Sequence, residues 1–249
     1  MTQCIFTAAT LLLFASSSAC AAEAKPATDL SFNAAVTSDY RYRAISQTRL
    51  QPALQGGADV VHRASALYAG AWASTIKWTT DAGGDGDVEL DVYAGKRGEL
   101  SAGLGYDVGV LTYIYPSNKL ASVPGFVSAN TTEVYGQLSY GPALIKYSHA
   151  VTNLFGFVDS KDSGYLDFAA NLEAGNSLIV NLHAGRQRVA HNPAASYTDW
   201  KIGMTRGFGV VTGSLAYIGT DASQVAYASP ANGKLLGKSA LVLIVSKTF

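Results

Sequence analysis

The chain has 249 residues, and its 18 Lys and Arg are balanced by 18 Asp and Glu, so the formal net charge is zero. Because no basic tract stands out, we expect no nucleic-acid partner. Charged residues make up 14% of the chain, against roughly a quarter in ordinary soluble domains. No apolar run approaches the length of about 20 residues that a transmembrane helix needs. The composition leaves two classes, a soluble β domain or a β-barrel in lipid.

The N-terminal segment has the layout of a secretory signal peptide. An apolar run ends near Ala15, small residues follow, and Ala19-Cys20-Ala21 forms an A-x-A cleavage site. We therefore predict a signal peptide at 1–21, a short linker at 22–30 and a single barrel domain at 31–249. Both cysteines, Cys4 and Cys20, fall inside the predicted signal, which leaves the mature chain without disulfides, thiolate metal sites or a catalytic cysteine.

Alternation of apolar and polar residues recurs through the rest of the chain. It is clearest at 87–95, where Val88, Leu90 and Val92 alternate with Glu89 and Asp91. Successive side chains of a strand point to opposite faces, so one face suits lipid and the other suits water. The pattern predicts strands at 31–45, 53–62, 66–78, 87–96, 100–115, 132–140, 143–152, 164–174, 177–189, 197–205, 210–220 and 238–249.

Twelve is an even number, as single-chain outer-membrane barrels require, and the connections between the strands alternate in length as they do in such barrels. The short connections are predicted at 63–65, 97–99, 141–142, 175–176 and 206–208, and the longer ones include 79–86, 116–131, 152–163, 189–196 and 221–237. We therefore predict an all-β fold, a single up-and-down antiparallel transmembrane β-barrel of about 12 strands with both termini periplasmic.

The last strand ends the chain on an aromatic residue. Leu241, Leu243, Val245 and Phe249 share one face, which Lys247 interrupts. We expect this strand to pair with the first one and close the barrel, and Lys247 to reach the headgroups at the periplasmic end. A terminal aromatic of this kind resembles the signal read by the barrel-assembly machinery. The expected partners are that machinery during biogenesis and the lipids of the bacterial outer membrane.

Several stretches resemble the uncharacterised proteobacterial Gcw_chp family. They are 38–47 (SDYRYRAISQ), 52–57 (PALQGG), 68–72 (YAGAW), 89–95 (ELDVYAG), 107–116 (DVGVLTYIYP), 133–135 (EVY) and 246–249 (SKTF). Ala44 departs from the glycine usual in the family, which implies a stiffer bend after Arg43. The resemblance covers most of the mature chain and implies an exported, outer-membrane β-barrel, with no established activity.

Charged residues at lumen-facing positions are the candidate binding residues. They are Asp39, Arg41, Arg43, Asp59, Glu89, Asp91, Asp107, Glu133, Asp167, Asp199 and Lys201. With Arg41 and Arg43 on one face of the first strand, Tyr40 and Tyr42 would point to lipid, and pairing of Arg43 near Gln55 would bring Asp59 into reach. The arginines either hold an anionic group of a solute or are neutralised by Asp59, Glu89 and Asp91 in a packed lumen.

The aromatic residues allow two interpretations. Tyr113 and Tyr115 share the phase of Asp107 and could stack on a solute, but a bulge in 103–109 would turn them outward, and we favour a place in the interfacial girdle. A second set is expected to face lipid, and comprises Tyr68, Trp72, Ile76 and Trp78.

The favoured function is a narrow porin-like channel for small polar solutes, with acidic residues favouring cations or neutral solutes. The alternative is a plugged barrel with a structural, receptor or surface-interaction role. A lipid enzyme is remote, because His149 on the apolar face has no serine in a nucleophile context. His183 is interpreted as a structural or solvated histidine of the lumen. No metal or cofactor is expected, and 81–87 is too irregular for a calcium loop.

Overall fold

The computed structural model describes residues 27–249. The predicted signal peptide at 1–21 and residues 22–26 of the predicted linker lie outside them. Twelve of the fourteen described strands close into an antiparallel barrel. In chain order they are β1 (Thr28–Thr37), β4 (Ala53–His62), β5 (Leu67–Thr75), β6 (Val88–Ser101), β7 (Leu104–Ile114), β8 (Thr131–Tyr140), β9 (Ala143–Ala150), β10 (Gly164–Glu173), β11 (Leu178–Arg188), β12 (Tyr197–Phe208), β13 (Val211–Thr220) and β14 (Ala240–Thr248). The predicted fold class and strand number are confirmed.

The barrel closes through its first and last strands, as expected. Val36 of β1 pairs with Val245 of β14, and Asn33 pairs with Gly57 of β4 on the other side. Every barrel strand thus has two hydrogen-bonded neighbours, and the wall has no free edge. Closure of this kind is what allows a sheet to sit in hydrocarbon.

The connections define two ends. Short turns at 63–66, 102–103, 141–142, 174–177 and 209–210 form the short-turn end, and loops at 38–52, 76–87, 115–130, 151–163, 189–196 and 221–239 form the long-loop end. The turns predicted at 97–99 and 206–208 are wrong, because β6 and β12 run on past them. The chain turns instead at Gly103 and Gly209, where φ is 79° and 72°, values that glycine adopts without steric cost.

The outward face of the barrel is apolar. Leu30, Phe32, Leu241 and Leu243 are all at least half exposed, as lipid-facing side chains of a barrel are. Lys247 is exposed on the same face, with its Nζ 4.5 Å from the centroid of the Phe249 ring at the short-turn end. That Lys247 reaches the headgroups stays a prediction.

The long-loop end is packed rather than splayed. The helical turns α1 (Trp78–Asp81) and α2 (Gln224–Tyr227) lie in its loops. Buried apolar clusters form there around Leu120, Leu236 and Leu154. Among the described residues, no helix is long and apolar enough to cross a membrane.

The first strand differs from its prediction. The barrel wall begins at Thr28, inside the predicted linker, and β1 ends at Thr37 rather than near 45. The next residues leave the wall and return to it at Ala53, and within them β2 (Arg41–Tyr42) pairs with β3 (Ile45–Ser46). We call residues 38–52 the plug hairpin.

Candidate functional site

The tip of the plug hairpin is a two-residue turn. Tyr42 pairs with Ile45, and between them Arg43 and Ala44 have φ of 46° and 64°. Two-residue hairpin turns of type I′ need positive φ at both central positions, and glycine or asparagine is favoured there. Left-handed backbone costs other residues about 1–2 kcal/mol each. The turn therefore stores strain at Arg43, and the contacts of its side chain offset it.

Arg43 reaches across the lumen. Its Nη2 donates to Glu133 Oε2 at 2.7 Å and its Nη1 to Gln187 Oε1 at 2.7 Å, and its Cζ lies 4.2 Å from the centroid of the Tyr165 ring. The strands β8, β10 and β11 that carry these residues lie on the far side of the ring from β1 and β4. We call Glu133, Tyr165 and Gln187 the arginine pocket.

The wall holds each member of the arginine pocket in place. Gln187 Nε2 donates to the carbonyl oxygens of Gly164 and Arg188 at 3.2 Å, which turns its amide oxygen toward the guanidinium. Tyr165 donates to Asp199 Oδ2 at 2.9 Å. Tyr113 donates to Glu133 Oε2 at 3.2 Å. The pocket is thus positioned by wall residues and not only by Arg43.

Carboxylates surround the hairpin near this pocket. Glu89 accepts hydrogen bonds from Tyr40 at 2.5 Å and from Tyr115 at 2.7 Å. Burial, together with the nearby Glu89, raises the pKa of the Tyr40 phenol well above its usual value, so its hydroxyl remains a donor. Asp91 Oδ1 and Glu133 Oε1 are buried and accept no hydrogen bond from residues 27–249. The site therefore has more acceptors than the hairpin uses.

Asp39 and Arg41, two further candidate residues, anchor the hairpin. Arg41 Nε donates to Asp39 Oδ2 at 2.7 Å, and Arg41 Nη1 donates to the carbonyl oxygen of Lys238 at 2.7 Å. Ser46 donates to Asp39 Oδ1 at 2.5 Å. Asp39 and Arg41 thus link the hairpin to the loop at 221–239.

The predicted strand geometry of the arginines is wrong. Arg43 does not pair near Gln55, because the wall strand ends before either arginine. Gln55 pairs with Ala35 of β1. Tyr40 and Tyr42, expected at lipid, lie inside. The hydroxyl of Tyr42 contacts that of Tyr113. The Tyr40 ring packs edge-on against Trp72, with the ring centroids 5.4 Å apart.

A second polar cluster lines the wall beside the arginine pocket. His183 Nε2 lies 2.6 Å from Asp199 Oδ1, and His183 Nδ1 lies 2.9 Å from Asp167 Oδ1. Lys201, which pairs with His183 across β11 and β12, lies close enough to both carboxylates to interact electrostatically. The lumen-facing interpretation of His183 agrees with this placement.

The remaining predicted residues lie toward the short-turn end. Asp59 accepts from Tyr93 at 2.5 Å, and Asp107 accepts from Tyr68 at 2.6 Å. The Tyr93 and Tyr135 rings lie flat against Gly70 and Gly109 of the neighbouring strands, where a Cβ atom would come within 2.5 Å of them.

The two halves of the lumen differ in exposure. Asp59, Tyr93 and Asn181 in the short-turn half are partly exposed, although Asp107 there is 3% exposed. At the level of Arg43, Glu89 and Glu133 are 2% and 1% exposed and the Arg43 side chain is 6% exposed. A water-filled passage would wet side chains on its wall. At the level of Arg43, which we call the filled layer, buried side chains of the hairpin and of the wall therefore pack against each other.

Several aromatic predictions are wrong. Tyr113 and Tyr115 are 2% and 4% exposed and face inward, because the register shift in β6–β7 falls at Glu99/Ser101 and leaves the strand phase at Asp107 intact. The second set, which was expected to face lipid, also lies inside, since alanines take most of the outward positions of β5. Tyr68 bonds to Asp107, Trp72 packs on Tyr40, Ile76 is fully buried and Trp78 packs on Tyr115.

Two kinds of site remain without support. The His149 side chain is 35% exposed, its Nε2 lies 3.2 Å from Asp162 Oδ1, and its ring lies beside that of Tyr147. Within residues 27–249, no group of His, Cys, Asp and Glu is arranged to hold a metal ion.

Sequence analysis did not identify the arginine pocket as a unit. Alternation does place Tyr165 with Asp167, and Gln187 with His183, on the lumen face. What it lacks is a signal that joins β8, β10 and β11 to a hairpin from the opposite wall. The resemblance implies the bend after Arg43, but only the structure shows that this bend brings Arg43 to Glu133, Gln187 and Tyr165.

Comparisons with solved structures identify outer-membrane barrels. A KdgM porin in complex with disordered oligogalacturonate matches with a TM-score of 0.52 and 4% identity, over 89% of this chain and 98% of that one. A NanC porin matches with a TM-score of 0.54 and 11% identity, over 89% and 99%. At these identities the similarity concerns the fold, which resembles that of porins.

No curated protein matches the chain in sequence. Residues 21–249 match the model of the family described as "Bacterial protein of unknown function (Gcw_chp)", and the chain belongs to this family.

Proposed function

We propose that the protein is a porin-like channel of the bacterial outer membrane for small polar solutes, and that the structure is its closed form. The apolar outside, the polar inside and the similarity in fold to porins support this proposal. We further propose export by a cleaved signal peptide, with the long loops outside the cell and both termini periplasmic. Outer-membrane lipids and the barrel-assembly machinery are its proposed partners.

The observation that carries the proposal is the relation of the plug hairpin to the wall. Thr37 and Ala53, which flank the hairpin, are paired Cα partners in the β1–β4 ladder. The wall is therefore continuous without residues 38–52, and the filled layer depends on a segment outside the barrel ladder. Ser38 is still hydrogen-bonded to Leu243 of β14, so movement of residues 39–52 would open the lumen without breaking the strand-to-strand hydrogen bonds of the wall.

The charges inside the barrel indicate the class of solute. Acidic side chains face the lumen at Asp39, Asp59, Glu89, Asp91, Asp107, Glu133, Asp167 and Asp199. The cations that lie among them include Arg41, Arg43, Lys146 and Lys201, together with Arg97, whose Cζ lies 5.2 Å from the centroid of the Tyr68 ring. A pore lined in this way favours cations and neutral polar solutes over anions.

The experiment uses a variant that vacates the lumen. A two-residue Asn-Gly turn, which suits a tight hairpin, replaces residues 38–52 and joins Thr37 to Ala53. We call it the hairpin-replaced variant. In proteoliposomes that swell as a pentose enters, it is expected to swell several-fold faster than wild type.

Gln51→Ala, at an exposed position of the hairpin, is the matched control and should swell as wild type does. Heat-dependent mobility in gels and circular dichroism check that each barrel has folded. If the folded hairpin-replaced variant swells no faster than empty liposomes, the channel proposal is wrong.

A second candidate is a permanently plugged barrel that binds a partner at its surface. The packing of the long-loop end favours it, since Leu120 and Ile76 are fully buried within an apolar cluster. This candidate predicts that the hairpin-replaced variant loses loop packing and gains no permeability. Protease sensitivity of the loops, measured beside swelling, separates the two candidates.

We propose no catalytic role for the protein. Outer-membrane enzymes exist among barrels, but the His149 side chain is about a third exposed and its Nε2 lies 3.2 Å from Asp162 Oδ1. Lipid turnover that the wild type shows and His149→Ala loses would contradict this proposal.

A further inference from the structure

We propose that the arginine pocket is the solute site of the barrel and that its solutes carry a guanidinium or primary ammonium group. Arg43 is then a built-in occupant that such a solute displaces. The proposal rests on the proposed channel function and names the solute class of that channel.

The chemistry of the pocket matches a cation that carries several N–H donors. Glu133 and Gln187 present oxygen acceptors at 2.7 Å from the two terminal nitrogens of Arg43. Tyr165 presents an aromatic face, which attracts cations through its quadrupole. A positive group that donates hydrogen bonds satisfies all three contacts at once. An anion would meet Glu133 and be repelled.

The pocket belongs to the wall and not to the hairpin. Gln187, Tyr165 and Glu133 are each fixed by other wall residues, namely Gly164, Asp199 and Tyr113. They are 2%, 5% and 1% exposed. A site that is positioned without its occupant is preorganised for a different occupant of the same chemistry.

The pocket also has capacity that Arg43 leaves unused. Glu133 Oε1 and Asp91 Oδ1 accept no hydrogen bond within the described chain, although Glu133 is 1% and Asp91 9% exposed. Asp91 lies close enough to Glu89 and Glu133 to interact electrostatically with both. A free solute with an additional N–H group can use these acceptors, which gives it an advantage over the tethered arginine.

Strain and charge together explain how a cation would open the filled layer. The hairpin tip holds Arg43 and Ala44 at φ of 46° and 64°, so withdrawal of the hairpin relieves strain. Withdrawal without replacement leaves the buried Glu133 carboxylate without its guanidinium partner, which is unfavourable. Lys146 lies near Glu133, but it also interacts with the Tyr135 face, 4.0 Å away. A cationic solute removes the penalty, and a neutral or anionic one does not.

The test vacates the pocket and asks what fills it. Arg43→Ala in detergent micelles is titrated with n-propylguanidinium, the arginine side-chain fragment, and with n-propylammonium. We expect saturable binding by calorimetry and a rise in the midpoint temperature of unfolding. The neutral isostere n-propylurea and the anion butyrate should produce neither effect.

Two double variants locate the binding. Arg43→Ala with Glu133→Gln should lose at least tenfold in affinity for n-propylguanidinium. Arg43→Ala with Asp59→Asn, which removes a carboxylate outside the pocket, should bind as Arg43→Ala does. Equal binding of n-propylurea, no binding of either cation, or unchanged affinity after Glu133→Gln would overturn the proposal.

If Arg43→Ala does not fold, the hairpin-replaced variant takes its place, because it vacates the same pocket. Binding is measured without transport, so the two proposals fail separately. Binding without permeability of the hairpin-replaced variant rejects the channel and retains the site. Permeability without binding rejects the site and retains the channel.

Discussion

Arg43 and Ala44 show at the scale of single residues how the plug hairpin is held against the wall. Their left-handed backbone is costly for residues with a Cβ atom. The cost is offset by a buried ion pair to Glu133, whose two side chains are 6% and 2% exposed, and by a hydrogen bond to Gln187. Strain at a hairpin tip that carries a functional side chain is the combination that indicates a functional site.

Ala44→Gly tests the strain directly. Glycine adopts positive φ without steric cost, so this substitution should raise the free energy of unfolding by about 1 kcal/mol. Urea unfolding in detergent measures the change. Ala69→Gly in β5, where φ is not positive, is the control and should destabilise by roughly 0.5–1 kcal/mol. A fall in stability for Ala44→Gly would show that the tip is not strained.

The ion pair of Arg43 with Glu133 makes a second prediction. Glu133→Gln should lower the free energy of unfolding by about 3–5 kcal/mol, because it leaves a buried guanidinium without its carboxylate. Arg43→Met combined with Glu133→Gln should recover part of that loss, since no buried charge is then left unpaired. Urea unfolding of Glu133→Gln, of Arg43→Met and of the double variant gives the interaction energy of the pair from a double-mutant cycle. Additive losses would mean that the two side chains do not interact.

At the scale of elements, the sequence predicted the wall well and the hairpin poorly. Alternation located β4 at its observed bounds, and most other strands within a few residues. It failed at 38–45 because Tyr40, Arg41, Tyr42 and Arg43 keep a period of two through a segment that has left the sheet. No glycine stands at the turn between β2 and β3 to mark the reversal.

The aromatic residues were misplaced for a related physical reason. An aromatic residue in a barrel strand was assigned to the lipid interface, where such residues are common. In this barrel, tyrosines such as Tyr68, Tyr93 and Tyr113 serve as hydrogen-bond donors to carboxylates inside the barrel. Strand phase alone predicts the inward direction of Tyr113 correctly. The expectation of an interfacial girdle favours the outward direction, which is wrong.

Packing of tyrosine over glycine predicts a contrast between two positions in neighbouring strands. A Cβ atom on Gly109 would lie 2.5 Å from Tyr135 Oη and 2.6 Å from the carbonyl oxygen of Ala94, whereas one on Gly136 would meet nothing within 4 Å. Gly109→Ala should therefore destabilise the barrel by about 1–3 kcal/mol. Gly136→Ala is the matched control and should change stability little. Urea unfolding measures both, and equal effects would refute the packing argument.

At the scale of the molecule, the two ends of the barrel predict its orientation. Val225 in α2 at the long-loop end is 91% exposed, and Val210 in a short turn is 75% exposed. Val225→Cys should react with a membrane-impermeant maleimide on intact cells. Val210→Cys should react only after the outer membrane is permeabilised. The reverse pattern would place the long loops in the periplasm.

The state of the lumen lay beyond sequence reasoning because it depends on contacts between distant segments. Arg43 joins Glu133 and Gln187, which lie 90 and 144 residues away in the chain. The composition of the lumen face follows from alternation. Whether it is wet or filled depends on where the plug hairpin lies, and no local pattern encodes that.

The central claim is that the barrel is a channel closed by its plug hairpin. Single-channel recording of the hairpin-replaced variant in a planar bilayer under a potassium chloride gradient tests it most directly. We predict discrete conductance steps that wild type lacks or shows rarely, with a reversal potential on the cation-selective side. A folded hairpin-replaced variant whose conductance does not exceed that of wild type would contradict the claim.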